Sequence, residues 1–220
     1  FINEIARLCE SVGADVTNVA RGMGLDKRIG ERFLAAGIGY GGSCFPKDTA
    51  ALVSLGREKG APISILDAVQ TSNQTARERF AERVHDHFSR AGGLRGVSIG
   101  AWGVAFKAGT DDLRESPAVE IIRSLMKNGA RIRVFDPVAA PRAVAALASA
   151  GTIEAAPDAV SAARGAHGLL VLTDWNEFKQ ADMARVKSEM KTPALFDGRN
   201  LYDPARMRSL GFTYHSVGRP

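Results

Sequence analysis

The 220-residue sequence is poor in the features that mark metal-binding, secreted or membrane proteins. Its two cysteines, Cys9 and Cys44, lie far apart without a CxxC spacing, so the sequence indicates neither a disulfide framework nor a zinc site. No apolar run approaches the roughly 20 residues of a membrane span, and the best one, residues 168–172, suits a buried strand. A secretory signal is also missing. These absences together predict a reducing, cytoplasmic compartment.

An excess of acidic residues is missing too, since the formal net charge is +5 and the sequence pI is about 9.5. Such a balance first suggests nucleic acid as a partner. The basic residues, however, are scattered and interleaved with acids, as in residues 77–83, which is typical of a solvated helix face. We therefore predict no nucleic-acid partner. A small phosphorylated ligand would need only three or four of these cations.

Hydrophobic periodicity indicates that the first ninety residues are helix and loop. Apolar side chains recur at three- and four-residue spacing, and Gly or Pro stands at the expected ends of each segment. The predicted helices cover residues 1–12, 14–21, 46–60 and 62–88, the last one ending at 91–93. A Gly-rich stretch without periodicity, residues 25–43, separates the second helix from the third.

The remaining sequence alternates strand and helix with short links, which predicts a parallel sheet covered on both faces. The predicted strands are residues 97–102, 131–137, 153–155, 168–172, 194–197 and 212–215. The predicted helices are 116–129, with Ser116 as its cap, 141–150, 158–164 and 178–190. The fold class is therefore α/β: an all-helical domain, residues 1–92, precedes a Rossmann-like doubly wound domain, residues 93–220.

Cys44 has the surroundings of a reactive thiol. It follows a Gly-rich turn and precedes a helix expected to begin near Pro46, where unpaired N–H groups and the helix dipole favour a thiolate. Lys47 adds positive charge, and Asp48, four residues on, could serve as a base or orient water. A buried structural cysteine in a turn explains these features equally well. Cys9 differs, because it lies on an apolar helix face that predicts core packing.

Two other clusters imitate functional sites. Gly100 and Gly103 after the first predicted strand, with Asp136 after the second, imitate a dinucleotide site, but they do not form G-x-G-x-x-G and the loop is too long for its tight turn. Acidic residues over 111–115 could suggest a metal. Acids that precede a helix are more often caps and dipole partners, so no metal site is predicted.

Four segments are similar to the motifs of one enzyme family. Residues 39–48 (GYGGSCFPKD) closely resemble the active-site motif of the UDP-glucose 6-dehydrogenases, and residues 1–6 (FINEIA) resemble a stretch of that family's central helix. Residues 106–117 (FKAGTDDLRESP) are similar to the signature at the start of its C-terminal domain. Residues 196–200 (FDGRN) are similar to a motif near its end. All four occur in the family's order, so the resemblance spans essentially the whole chain.

The resemblance implies an activity: oxidation of the C6 alcohol of UDP-glucose to UDP-glucuronate, with two NAD reduced per product. Cys44 would attack the intermediate aldehyde, and the thioester formed after the second hydride transfer would be hydrolysed. Asp48 would assist water and proton transfers. The second domain would hold the UDP part, whereas the NAD fingerprint would lie upstream of Phe1. We therefore expect this piece alone to be inactive.

The resemblance also implies which residues hold the ligands. Those expected to bind the UDP-sugar are Arg28, Phe33, Leu34, Tyr40, Gly41, Phe106, Lys107 and Arg199. Lys47 and Arg114 are expected on the NAD side. Cations suit a pyrophosphate by charge, and Arg adds a bidentate fork. Arg28 would reach the sugar of the neighbouring subunit, which requires a homodimer packed through the central helices.

Two alternatives to this function stay open. A sister enzyme could act on GDP-mannose or on a UDP-N-acetylhexosamine, although relatives of the hexosamine type typically have Gly-His-Cys where Gly42-Ser43-Cys44 stands here. The isolated piece could also be a UDP-binding and dimerisation module without catalysis.

Overall fold

The first part of the chain is helical in the computed structural model, which describes residues 1–90 and 92–220. Its helices are α1 (Ile2–Val12), α2 (Val16–Gly24), α3 (Phe45–Glu58) and α4 (Ser64–Ser89). Gly13 ends α1 in the left-handed conformation, as the sequence predicts. The second helix differs from its prediction: it continues through the glycines after Arg21, and its C-cap is Leu25. Ala91, within the predicted end of α4, lies outside the described residues.

The second part is an α/β layer structure around one parallel sheet. Its strands are β1 (Ser98–Trp102), β2 (Arg131–Phe135), β3 (Ile153–Ala155), β4 (Gly168–Val171), β5 (Ala194–Asp197) and β6 (Thr213–His215). The strand order is β3-β2-β1-β4-β5-β6, and every pair is parallel. This is the Rossmann-type order, with its switch point between β1 and β4, and it confirms the predicted fold class.

The helices around the sheet depart from their predictions in places. They are α5 (Pro117–Lys127), α6 (Ala140–Leu147) with a 3₁₀ turn (Ala148–Ala150), α7 (Ala159–Ala163), α8 (Asn176–Lys179), α9 (Met183–Glu189) and α10 (Pro204–Ser209). The single helix predicted over 178–190 is wrong, because the Asp182 carboxylate accepts from Ala184 N and Arg185 N and starts a separate helix. The sequence reading missed α10. Ser116 holds the N-cap position, but its hydroxyl donates to Val104 O instead of capping the helix.

Helix α4 joins the helical part to the sheet. Its Phe80, Val84 and Phe88 are buried with α5 and strand residues in one hydrophobic core. These three side chains of α4 are therefore used inside the chain and are not available for the predicted subunit contact. Large exposed apolar side chains remain on α1, at Leu8 and Val12. No helix in the described ranges has the length and apolarity that crossing a bilayer requires.

The charged run over residues 77–83 is only partly the solvated helix face that the sequence suggested: Glu78, Arg79 and Glu82 are exposed, whereas the other charges are not. Arg77 is only 6% exposed and pairs with Glu120 of α5. Arg79 and Arg83 both donate to the Glu10 carboxylate of α1. Burial alone would raise the pKa of Glu10, but the Gly218 N–H and the two guanidinium groups outweigh it and lower that pKa. These cations therefore tie α4 to its neighbours.

Two histidines meet where α4 crosses β6. His215 Nε2 lies 3.2 Å from His87 Nδ1, and the His215 ring stacks on Phe196 at 4.7 Å between centroids. Burial, with the nearby His87, Arg83 and Arg208, lowers the pKa of His215 to about 4. Burial, helped by Arg90, also lowers the pKa of His87. At both positions the surroundings therefore favour the neutral ring over the charged one.

We expect the protein to lose stability in acid through this pair. A histidine whose folded pKa lies below its unfolded value of about 6.5 contributes stability that is complete above pH 6.5 and is lost as pH falls towards 4. The loss should be about 1–2 kcal/mol once solvent screening is allowed for. His215→Phe keeps the ring stack and should flatten the melting temperature between pH 6.5 and 4. The exposed His85→Gln is the control; identical pH curves for His215→Phe and wild type would contradict this account.

Candidate active site

The cysteine loop, residues 39–44, leads directly into α3. Cys44 occupies the N-cap position of α3 and is exposed, with Pro46 in the first turn. Its carbonyl accepts the first helical bond from Asp48 N at 2.8 Å, and Ser43 Oγ lies 3.7 Å from its sulfur. The unpaired N–H groups of the first turn therefore begin next to this sulfur, as a reactive thiol requires.

Two cations accompany Cys44. Lys47 Nζ pairs with Asp48 Oδ1 at 2.5 Å, and the hydrogen bond to Asp48 raises the pKa of Lys47. Arg114 forms a fork with Asp112, which likewise raises the pKa of Arg114. Cys44 contributes to both shifts, so both cations lie within electrostatic reach of the sulfur. Asp48 thus bonds to Lys47 here, whereas the sequence suggested a contact with the sulfur.

A cavity of about 880 Å³ opens between the helical part and the carboxyl ends of the strands. Six of the predicted substrate residues line it: Phe33, Tyr40, Gly41, Phe106, Lys107 and Arg199. Cys44 is not among the lining residues, but it lies in sequence between two of them, Gly41 and Phe45, and this edge of the cavity is called the rim. The structure therefore brings together residues that are up to 166 positions apart in sequence, Phe33 and Arg199.

Other predicted residues lie away from the cavity lining. Leu34 packs on the core between α1 and α2. Arg28 has an 89% exposed side chain and forms a fork with Asp26. Lys47, Asp48 and Arg114 do not line the cavity either; Asp48 pairs with Lys47, and Lys47 and Arg114 lie within electrostatic reach of Cys44. Phe33, although it lines the cavity, is 86% exposed and has a positive φ of 66°.

The sequence reading missed several polar cavity residues. Asn3, Asn73, Asp174, Lys179 and Asn200 all line the cavity. Asn3 Oδ1 accepts from Gly37 N at 2.8 Å, which fixes the backbone two residues before the loop. Asp174 and Lys179 follow β4, whose carboxyl end lies at the switch point of the sheet, where ligands of such folds bind. The position of β4 in the strand order was the signal that could have found them.

Arg199 is the strongest candidate for an anion ligand. Its Nε donates to Leu172 O at 2.8 Å and its Nη2 to Phe106 O at 3.3 Å, so backbone carbonyls hold the guanidinium. Burial lowers the pKa of Arg199 despite the nearby carboxylates of Asp174 and Asp197. Within the described ranges it forms no salt bridge. A bound phosphate would give this guanidinium the direct ion-pair partner that neither carboxylate provides.

The glycines of the loop allow its backbone to pack closely against the second domain, in addition to allowing a substrate to approach the sulfur. A Cβ on Gly41 would lie 2.1 Å from Glu115 O, and a Cβ on Gly42 would lie 2.8 Å from the Phe106 ring. Gly42 also has a φ of 94° and donates its N–H to Arg114 O at 3.0 Å. The backbone before Cys44 therefore lies directly against the second domain. Lys107 Nζ reaches over the Phe106 ring at 5.3 Å, close to this contact.

The residues after β1 and β2 that resemble a dinucleotide site have a structural role. Asp136 is buried, and its carboxylate accepts from Val104 N, Ala105 N, Val138 N and Ala139 N. An acid that is saturated by backbone donors has no capacity left for a ribose hydroxyl. The acids near 111–115 are also engaged, since Asp111 pairs with Arg142, and the fork from Arg114 lowers the pKa of Asp112 to about 2.

Fold and site together define a class: a Rossmann-type nucleotide-binding domain joined to a helical segment that carries an exposed cysteine at the cavity rim. Family comparison matches residues 1–75 to the central domain of the UDP-glucose/GDP-mannose dehydrogenase family and residues 100–204 to that family's UDP binding domain. The chain belongs to the UDP-glucose/GDP-mannose dehydrogenase family.

Individual relatives agree with this membership. A UDP-glucose 6-dehydrogenase of Pseudomonas aeruginosa is 46% identical over 100% of this chain and 49% of its own length. The UDP-glucose 6-dehydrogenase TuaD of Bacillus subtilis is 43% identical over 100% of this chain and 47% of its own. The structure of a UDP-glucose dehydrogenase from Pyrobaculum islandicum matches with a TM-score of 0.84 and 35% identity, over 100% of this chain and 47% of that one. The chain thus spans about half the length of these relatives.

Proposed function

We propose that this chain supplies the nucleophile and the sugar-nucleotide pocket of an NAD-dependent UDP-glucose 6-dehydrogenase. The complete enzyme would oxidise the C6 alcohol of UDP-glucose to the carboxylate of UDP-glucuronate. One observation carries the proposal: the exposed Cys44 stands beside two cations at the rim of a cavity that contains Arg199. The 43–46% identity to enzymes named for this activity supports the choice of substrate.

The nucleotide part of the substrate is assigned to the second domain. Arg199 and Lys107 supply cations to the pyrophosphate, Phe106 supplies an apolar surface, and Tyr40 and Gly41 close the other side of the cavity through the loop backbone. This placement directs C6 of the sugar towards Cys44. Phe33 and Leu34 belong to the segment along the sugar, and Arg28 acts on the site of a second subunit.

Cys44 carries the covalent chemistry. Its thiolate adds to the aldehyde carbon formed by the first oxidation, and the carbonyl oxygen takes up a proton, which gives a thiohemiacetal. Loss of a hydride and a proton from this adduct gives a thioester. Water then attacks the thioester carbon, and the sulfur leaves as thiolate. Asp48 accepts the proton of that water, and Lys47 holds the Asp48 carboxylate in place.

NAD, when bound, would supply the acceptor for the two hydrides. The residues of this chain that suit its phosphates are Lys47 and Arg114, both exposed cations beside Cys44. The sheet itself does not suit NAD, because the Asp136 carboxylate is saturated by backbone donors. We therefore assign NAD to a domain that the relatives' extra length would contain. A homodimer and a cytoplasmic location complete the proposal; the exposed Leu8 and Val12 of α1 supply an apolar surface for the dimer.

Calorimetry on the 220-residue chain tests the division between the two nucleotides. UDP should bind at least about ten-fold more tightly than NAD, a difference of roughly 1.4 kcal/mol. The reason is that the cavity holds Arg199 and Lys107, whereas the dinucleotide-like turn after β1 is filled by Asp136. Tight NAD binding without UDP binding would contradict the assignment of the second domain.

NADH production by the complete enzyme from a panel of nucleotide sugars tests the substrate. UDP-glucose should be turned over with the highest kcat/KM. Turnover of GDP-mannose or a UDP-N-acetylhexosamine, but not of UDP-glucose, would instead identify a sister enzyme. UDP binding without turnover of any sugar would identify a binding and dimerisation module.

A further inference from the structure

Two side chains of α4 hold the backbone of the cysteine loop. Asn73 pairs with Tyr40 as a peptide group would: Tyr40 N donates to Asn73 Oδ1 at 2.8 Å, and Asn73 Nδ2 donates to Tyr40 O at 3.0 Å. Arg77, one turn along, donates from Nη2 to the same Tyr40 carbonyl at 2.7 Å. The position of Tyr40, four residues before Cys44, is therefore fixed by three hydrogen bonds from one helix.

Arg77 also joins this loop to the second domain. Its Nη1 pairs with Glu120 of α5, and its Nη2 reaches Glu115 O at 3.4 Å. Glu115 O is the atom against which Gly41 packs, and Glu115 itself has a φ of 50°, rare for a residue with a side chain. One buried guanidinium thus holds the loop carbonyl, the strained carbonyl before α5 and a carboxylate of α5.

We propose that Arg77, with Asn73, is a positioning residue that sets where the Cys44 sulfur stands relative to the sugar. The proposal rests on the proposed function, because it assumes that Cys44 reacts with a ligand bound in the cavity. The anchors of the UDP part lie on the second domain, and the sulfur lies on the helical part. Arg77 contacts both sides, so it controls the distance between them without touching the reacting atoms.

The test compares Arg77→Lys and Asn73→Asp with wild type in the complete enzyme. Lysine keeps the positive charge opposite Glu120 but lacks the planar guanidinium that donates hydrogen bonds to two carbonyls. Aspartate keeps the acceptor for Tyr40 N and loses the donor to Tyr40 O. Both variants should lower kcat by roughly 100-fold, because a misplacement of about 1 Å costs that much, while KM for the nucleotide sugar changes less than about three-fold.

Amide hydrogen exchange supplies a readout that does not depend on turnover. The amides of residues 40–42 should exchange at least about ten-fold faster in both variants, while those of β1 stay unchanged. Arg57→Lys is the matched control, since Arg57 pairs with Asp67 between α3 and α4 and does not contact the loop. It should leave kcat and exchange at wild-type values.

The contacts of Asn73 and Arg77 with the loop backbone are called the clamp. The possible results distinguish a failure of the clamp from a failure of the proposed function. Wild-type exchange in the loop of a folded variant would overturn the clamp, as would faster exchange with an unchanged kcat. A rise in KM that equals the loss in kcat/KM would also overturn it, because that pattern indicates lost binding and not lost positioning. If wild-type enzyme oxidises no nucleotide sugar, the proposed function fails, and loop exchange alone then supports or overturns the clamp.

Discussion

Replacing Cys44 with alanine is expected to lower kcat of the complete enzyme by on the order of 10⁴-fold or more, as loss of a covalent nucleophile does elsewhere. Cys44 is exposed at the N-cap of α3, and the chain's other cysteine, Cys9, is buried in the core between α1 and α2. Only Cys44 can therefore form the thioester. UDP affinity should change less than about two-fold, because Cys44 is outside the residues that line the cavity.

The measurements are steady-state NADH production and UDP calorimetry on the same preparation. Cys9→Ala is the matched control: it should cost about 1 kcal/mol of unfolding free energy through lost packing and leave kcat intact. Retention of more than a tenth of wild-type kcat by Cys44→Ala would exclude Cys44 as the nucleophile. Loss of UDP binding in that variant would instead indicate that the loop had collapsed into the cavity.

Replacing Arg199 with methionine is expected to weaken UDP binding by about 100-fold. A charge-assisted bond to phosphate in a partly buried site contributes roughly 2–3 kcal/mol, and each 1.4 kcal/mol is ten-fold in affinity. Arg199 is held by the carbonyls of Leu172 and Phe106, so it meets the ligand already oriented. Loss of the cation should also flatten the salt dependence of UDP affinity.

Calorimetry with UDP at two salt concentrations measures both effects. Arg199→Lys should recover part of the affinity, because the charge stays and the fork is lost. Arg142→Met is the matched control, since Arg142 is exposed, pairs with Asp111 and lies outside the cavity lining. An unchanged UDP affinity in a folded Arg199→Met variant would remove the pyrophosphate from the proposed position.

Local patterns were enough to predict most of the fold. Strands and most helices were predicted near their observed positions because alternation and helical periodicity are set by neighbours in sequence. The helix predicted over 178–190 failed because Asp182 competes as an N-cap within an otherwise helical pattern. The predicted end of α2 was wrong for the opposite reason. Its glycines tolerate the helical conformation, and the helix ends only at Leu25.

The chemistry of the site was only partly readable in the sequence. The segment around Cys44 is continuous, so both its resemblance and its helix N-terminus could be recognised directly. The roles assigned to Cys44, Asp48 and the ligand residues stay predictions. Asn73 and Arg77 could not be found in this way, because the residues they hold are 33 to 43 positions away. On a charged helix, nothing local distinguishes a buried arginine from a solvated one.

By itself, the sequence determined the parallel α/β domain, the helical segment before it and the candidate nucleophile, since each depends on short-range patterns. Only the tertiary structure decided which charges are buried, that His87 meets His215, that Asp136 is saturated and that Arg77 spans the two parts. Burial and pairing depend on which distant surfaces meet. An arginine of α4 is therefore exposed or buried according to the side of the helix on which it lies.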